Sequence, residues 1–170
     1  MDTHALDWRE HAWTHLLIPL ACWCLILGLL FGCGAPPPRT IQVSPELPEA
    51  VQVAAARARD AWCLAPVGWC PELTTEPGDA FIEVRAYRGT SAGSRMRNNL
   101  GVAIQVQPDV AKWPADQITG AMTHEFGHFG IEDHVAKSAL MRARFETSSD
   151  VPWDVDAEAS DEWCAEQHGC

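Results

Sequence analysis

The sequence predicts one mixed α/β domain of α+β layout, with a small twisted sheet packed on a central helix and flanking helices. Three observations carry this. The chain has 170 residues, enough for one domain and little more. Two short segments, 81–87 and 100–107, alternate apolar and polar residues with the period of strands. Three others place apolar residues at helical spacing, and the order helix, strands, helix, irregular stretch, helix fits layered α+β packing.

The first helix spans 48–62. It is rich in Ala, Pro48 suits a first-turn position, and Val51, Ala55, Ala58 and Trp62 line one face. A loop rich in Pro, Gly and Cys follows over 63–79. Residues 81–87 then form a strand, 88–99 a basic polar loop, and 100–107 a second strand with Leu100, Val102, Ile104 and Val106 on one face. A second helix starts near Asp116 as N-cap and carries Ile118, Ala121, Met122 and Phe126. The last helix covers 152–167, with Trp153, Val155, Ala159 and Trp163 at helical spacing.

Charge narrows the partners. The net charge is −11, and residues 146–170 hold eight acidic side chains and no Lys or Arg. Such a surface repels phosphate backbones, so no nucleic-acid partner is expected. The simplest reading of the acidic segment is a solvated face.

The N-terminal fifth reads as a leader. Residues 16–31 form a 16-residue apolar run, suited to a signal-peptide core and short for a spanning helix. It ends in Leu30-Phe31-Gly32-Cys33, which resembles the lipobox of bacterial lipoproteins. That resemblance implies acylation of Cys33, with 1–33 as leader. The first fifteen residues set Arg9 against Asp2, Asp7 and Glu10, whereas signal peptides begin with positive charge, so an uncleaved N-terminal anchor is the alternative. Both imply export to the cell envelope and a membrane tether. Residues 34–47 read as a Pro-rich spacer and 48–170 as the domain.

Of seven cysteines, Cys63, Cys70, Cys164 and Cys170 lie in the domain. Four can pair in three ways, and the short separations favour Cys63–Cys70 and Cys164–Cys170. Disulfides persist in an oxidising compartment, consistent with export.

The chemistry lies in His124-Glu-Phe-Gly-His128. Four residues apart on a helix, two imidazoles are separated by about 40° and about 6 Å, so both face one ion. Zinc favours such nitrogen ligands, and a catalytic site needs three protein ligands with one open position. His134 supplies the third if the helix stops soon after His128, since on a continuous helix it would lie about 15 Å from His124 along the axis. Gly130 is placed to end the helix in the left-handed conformation. Asp133 is a rival third ligand. Glu125 lies beside the ligand face and can accept a proton from an activated water. A chain of this His and Glu content shows the five-residue pattern by chance about once in 50 cases, and with His134 about once in 1,000.

The stretch His124-Glu-Phe-Gly-His-Phe-Gly-Ile-Glu-Asp-His134 resembles the long zinc signature of metzincin metallopeptidases. Ser138-Ala-Leu-Met141, whose methionine lies seven residues on from His134, is similar to their Met-turn, and its wording is closest to matrixins. The direct match covers about 18 residues. The resemblance implies a zincin fold with an active-site helix and one catalytic Zn2+ on His124, His128 and His134. It also implies Glu125 as catalytic base, Met141 as support beneath the metal, and a peptide or protein substrate extended along a strand, either 100–107 or the loop before it. Taken alone, Met141 reads equally well as an ordinary core methionine.

Two departures stand out. Ile131 occupies the family's glycine position while Gly130 comes one residue early, and no tyrosine follows the Met-turn. The expected function is a membrane-tethered zinc metalloendopeptidase. The alternatives are a zinc-retaining binding module without turnover, and a structural lipoprotein with an incidental histidine cluster. The intact Glu125 argues against the binding module, which needs no general base.

Overall fold

Among the described residues the strands form one sheet, whose apolar side chains share a single hydrophobic core with those of the helices. The computed structural model of the protein describes residues 36–86, 96–99, 101–141, 152, 154–167 and 170. The leader with Cys33, the acidic residues Glu146 and Asp150, and Tyr87, Leu100 and Trp153 lie outside the described residues. Five strands form the sheet: β1 (Thr40–Val43), β2 (Glu72–Thr74), β3 (Ala80–Val84), β4 (Met96–Asn99) and β5 (Ala103–Val106). Their order is β2-β1-β3-β5-β4. All neighbours run parallel except β4, which pairs antiparallel with β5 at one edge. The helices are α1 (Glu49–Leu64), α2 (Ala115–Gly127) and α3 (Ala157–Glu166), and a short 3-10 turn, Pro108–Lys112, leads into α2.

The mixed α/β architecture agrees with expectation, and the differences lie in the short elements. Residues 34–47 are not a spacer throughout. The folded unit begins at Pro36, and β1 within that stretch pairs on both sides with Ile41 fully buried. Only four residues long and flanked by prolines, β1 has too short an alternation to stand out. The loop expected over 63–79 contains β2, and the polar loop expected over 88–99 contains β4. The strand expected over 100–107 starts instead at Ala103. Gly101, at φ +70°, turns the chain between β4 and β5 and breaks the alternation, which leaves Val102 47% exposed.

Cross-strand register sets the two faces. Ile82 faces Ile104, and Val106 faces both Val84 and Met96. Ile82, Ile104, Val106, Met96 and Ile41 join one hydrophobic core with α1 and α2. Truncating a fully buried side chain of this kind to Ala costs about 2–5 kcal/mol. The other face is polar: Arg97 donates from Nε and Nη2 to Gln105 Oε1 at 2.9 and 2.7 Å, and Gln105 Nε2 donates to Glu83 Oε1 at 3.0 Å. Gln105 is 2% exposed, so these bonds offset its desolvation.

The expected face of α1 (Val51, Ala55, Ala58 and Trp62) is buried, together with Ala54, and Trp62 Nε1 donates to Thr123 O on α2 at 2.9 Å. The start of β1 is fixed by Asp79, whose Oδ2 accepts the N–H groups of Arg39 and Thr40 at 2.9 and 3.1 Å.

The helix expected over 152–167 begins later, because Asp156 is the true N-cap and accepts the Ala159 N–H at 2.8 Å. Both expected disulfides form, Cys63–Cys70 and Cys164–Cys170, with Cα–Cα distances of 4.4 and 5.1 Å. They fit an oxidising environment. Trp62, Trp69 and Trp163, each the residue before a half-cystine, meet in the core: Trp163 lies 4.9 Å from Trp62 and 4.7 Å from Trp69 by ring centroid. Among the described residues no helix is long and apolar enough to cross a membrane.

Candidate metal centre

Helix α2 carries the motif into the core. Pro114 rather than Asp116 is its N-cap, with φ −53° and ψ 141°, and Asp116 sits in the first turn. From Ile118 to Gly127 the helix is buried nearly all round. Its hydroxyls are satisfied locally, Thr119 donating to Ala115 O and Thr123 to Thr119 O, each at 2.9 Å.

The helix ends at Gly127, as the ligand spacing requires, but not by a left-handed Gly130. Positive φ among the described glycines occurs at Gly68 and Gly101. The stop is instead a tightened turn, in which the Phe129 N–H donates to Phe126 O, and the Gly130 and Ile131 N–H groups both donate to Gly127 O. Gly130 serves close packing. A Cβ there would meet the Trp163 ring at 2.5 Å. Helix α3 anchors the turn, since Gln167 Nε2 donates to Gly130 O at 3.0 Å and the Glu132 N–H donates to Glu166 Oε2 at 2.8 Å.

Past this turn the chain brings His134 back to the helix. The ligand atoms of His124, His128 and His134 lie within 4.8 Å of one another, and their ring centroids are 4.9–5.3 Å apart. Asp133, the rival third ligand, is not part of this group. His124 is buried, His128 half-buried and His134 exposed, so the cluster opens to solvent on the His134 side.

Two of the rings have their tautomer set by carbonyls, which can only accept. His124 Nδ1–H donates to Leu140 O at 2.6 Å and His128 Nδ1–H donates to Ile131 O at 2.9 Å. That leaves each Nε2 lone pair directed to a ligand. Burial, reinforced by the neighbouring His128, pushes His124 down to about 3, and burial also lowers His128. Both are neutral at neutral pH, the form a metal needs. The donor set therefore fits a metal ion and is compatible with zinc.

Glu125 is buried beside the cluster. Its Oε2 accepts the backbone N–H of Asn98 on β4. Burial pushes its carboxyl up to about 7 against the opposing pull of that hydrogen bond. Met141 is fully buried, and a Cβ at Gly127 would meet its Sδ at 2.4 Å and its Cε at 2.8 Å. The thioether thus lies under the end of α2, next to the residue preceding His128.

Two residues escaped the sequence reading. Asp156 Oδ2 accepts from Ser138 Oγ and from the Leu140 N–H, each at 3.0 Å. It therefore caps α3 and holds the turn whose Leu140 carbonyl orients His124. Its position as an acidic residue three before Ala159 was a legible capping signal. Asn98 had no signal, because its role depends on strand pairing.

Scanned against models of known protein families the chain matches none, and a search of curated proteins finds no match.

Proposed function

We propose that the chain is a zinc-dependent metalloendopeptidase of metzincin type, most similar to matrixins and built on a zincin fold. The observation that carries this reading is the convergence of three imidazoles with a buried carboxylate next in sequence to one of them. When bound at this site, zinc supplies Lewis acidity that polarises the scissile carbonyl and acidifies a water. His124, His128 and His134 hold the ion. Glu125 accepts the proton of the attacking water and delivers it to the leaving amine nitrogen. A carboxyl raised toward neutrality suits both halves of that transfer. Met141 fills the space beneath the ligands.

The substrate runs extended along the sheet edge, pairing with main-chain groups of the strand. Of the two expected stretches, 100–107 is excluded as the edge because β5 is flanked by β3 and β4. The loop before it contributes β4, which ends the sheet among the described residues and touches Glu125. The disulfides support export, and Cys33 is the proposed lipid attachment that tethers the domain at the envelope.

The test is a peptide-library cleavage assay on the zinc-loaded protein, with chelator control and Glu125→Gln. The amide keeps its shape but accepts no proton, so zinc stays bound and the rate falls about 10²–10⁴-fold. Zinc uptake with no cleavage of any library would favour the binding-module reading, and absence of zinc uptake would remove both.

A further inference from the structure

Strand β4 reaches the base through one residue. In an antiparallel pair, alternate residues turn their N–H and C=O groups away from the partner strand. Asn98 lies opposite Ile104 on β5, and its N–H is directed to Glu125 Oε2 rather than to β5. Its side chain is engaged at both ends. Asn98 Nδ2 donates to the main-chain oxygen of Glu125 at 3.0 Å, and Asn98 Oδ1 accepts the Gly101 N–H at 2.8 Å. Gly101 holds φ +70°, a conformation that presents its N–H to Asn98 and that other residues adopt at a cost. One side chain thus ties together the β4–β5 turn and the backbone of α2 at the base, while its own main-chain N–H reaches the carboxylate of the same glutamate.

We infer that Asn98 is the positioning residue for Glu125. It fixes Oε2 with a backbone donor and leaves Oε1 to face the reacting water. The kinetic part of this rests on the peptidase reading, but the anchorage itself does not. An asparagine is required because the link needs an acceptor for Gly101 and a donor for Glu125 on one short side chain. The strand alone would not hold the carboxylate, since its N–H is aimed correctly only while the hairpin is fastened to the helix. A base displaced by even about 1 Å loses much of its advantage.

The experiment has two arms on the zinc-loaded full chain. In the first, amide hydrogen exchange is read at residue 98 in wild type and in Glu125→Ala. An outward amide on the last strand should be protected in wild type and exchange at least about ten-fold faster in Glu125→Ala. Equal rates would overturn the inference. In the second, Asn98→Ala should lower kcat about ten-fold with KM and zinc content little changed. Asn98→Asp keeps the acceptor for Gly101 and loses the donor to Glu125, so it should be as slow as Asn98→Ala. A wild-type kcat in Asn98→Asp would reduce Asn98 to a hairpin residue and sink the positioning role. If no peptide is cleaved by wild type, the exchange arm still decides the anchorage, and it is then the peptidase reading that falls.

Discussion

Substituting Gly130 by Ala sets two opposing effects against each other. Gly130 does not need a left-handed backbone. The loss of unfolded-state freedom alone would therefore stabilise Gly130→Ala by about 0.4–1 kcal/mol. Against this, the new Cβ would meet Trp163 Cη2 and Cζ3 at 2.5 Å and Cζ2 at 2.6 Å. Those contacts must open to about 3.5 Å. The indole has nowhere to retreat. It is 1% exposed, packed against Trp62 and Trp69, and adjacent to a disulfide-bonded cysteine. Overpacking of a rigid core costs about 1–3 kcal/mol, and this contact belongs at the upper end. The net expectation is a loss of about 2 kcal/mol, or a Tm lower by roughly 5–10 °C. Thermal unfolding of the metal-free protein measures it. Zinc competition should also report weaker binding, because the carbonyl that orients His128 belongs to Ile131, the next residue. Gly127→Ala should cost less stability, since its Cβ overlaps the flexible end of Met141 and approaches the rigid Trp62 ring only to 3.0 Å. A Gly130→Ala protein with Tm at or above wild type would refute the packing argument.

Other perturbations probe the remaining supports. Asp156→Ala should weaken zinc binding about 10–100-fold by loosening the Leu140 carbonyl that orients His124, and should lose about 1 kcal/mol of helix capping; a competition titration and denaturant unfolding read the two effects. His134→Ala should weaken zinc by more than Asp156→Ala does, as a ligand outweighs its support; unchanged zinc content would reject it as third ligand. Asp79 is held below its ordinary 3.8 first by the Arg39 and Thr40 N–H groups, so its folded pKa is depressed. Its stabilisation is present above the unfolded value and lost as pH falls through the folded one. Asp79→Ala should therefore lower the urea midpoint at pH 7, with the gap to wild type closing below pH 3.8.

How much was legible followed the physics of each element. Helix α1 and the His124–His134 pattern announce themselves because periodicity over many residues, or a rare spacing of reactive side chains, is local information. The disulfides were legible from loop length. Strands β1, β2 and β4 were not: they have four, three and four residues, too few for a period, and they exist because neighbouring strands offer them hydrogen bonds, β3 to β1, β1 to β2 and β5 to β4. The end of α2 was expected at the right place for the wrong reason. Spacing to His134 demanded a stop, but the need for glycine at 130 comes from Trp163, 33 residues away in the chain, and no local rule contains it. Asn98 and Asp156 act across the fold, and only the capping half of Asp156 could be read locally.

The two disulfides each close a very short loop, with sequence separations of 7 and 6. Any crossed pairing between the two sets would close a loop of roughly 100 residues. In a flexible chain the difference in closure entropy is about 2.4 kcal/mol, or roughly fifty-fold in favour of each native pair. The unfolded polypeptide is thus biased toward its correct bridges before any sheet exists. The parallel pairings of β1, β2, β3 and β5, by contrast, join distant segments and form slowly. Oxidation and topology are therefore separable steps. A chain delivered unfolded into an oxidising space can fix both crosslinks early, and with them the positions of Cys63, Cys70 and Cys164 beside three tryptophans that later pack together in the core. Oxidative refolding of the domain should therefore pass through few mispaired species among these four cysteines, with the assembly of the sheet as its slow step.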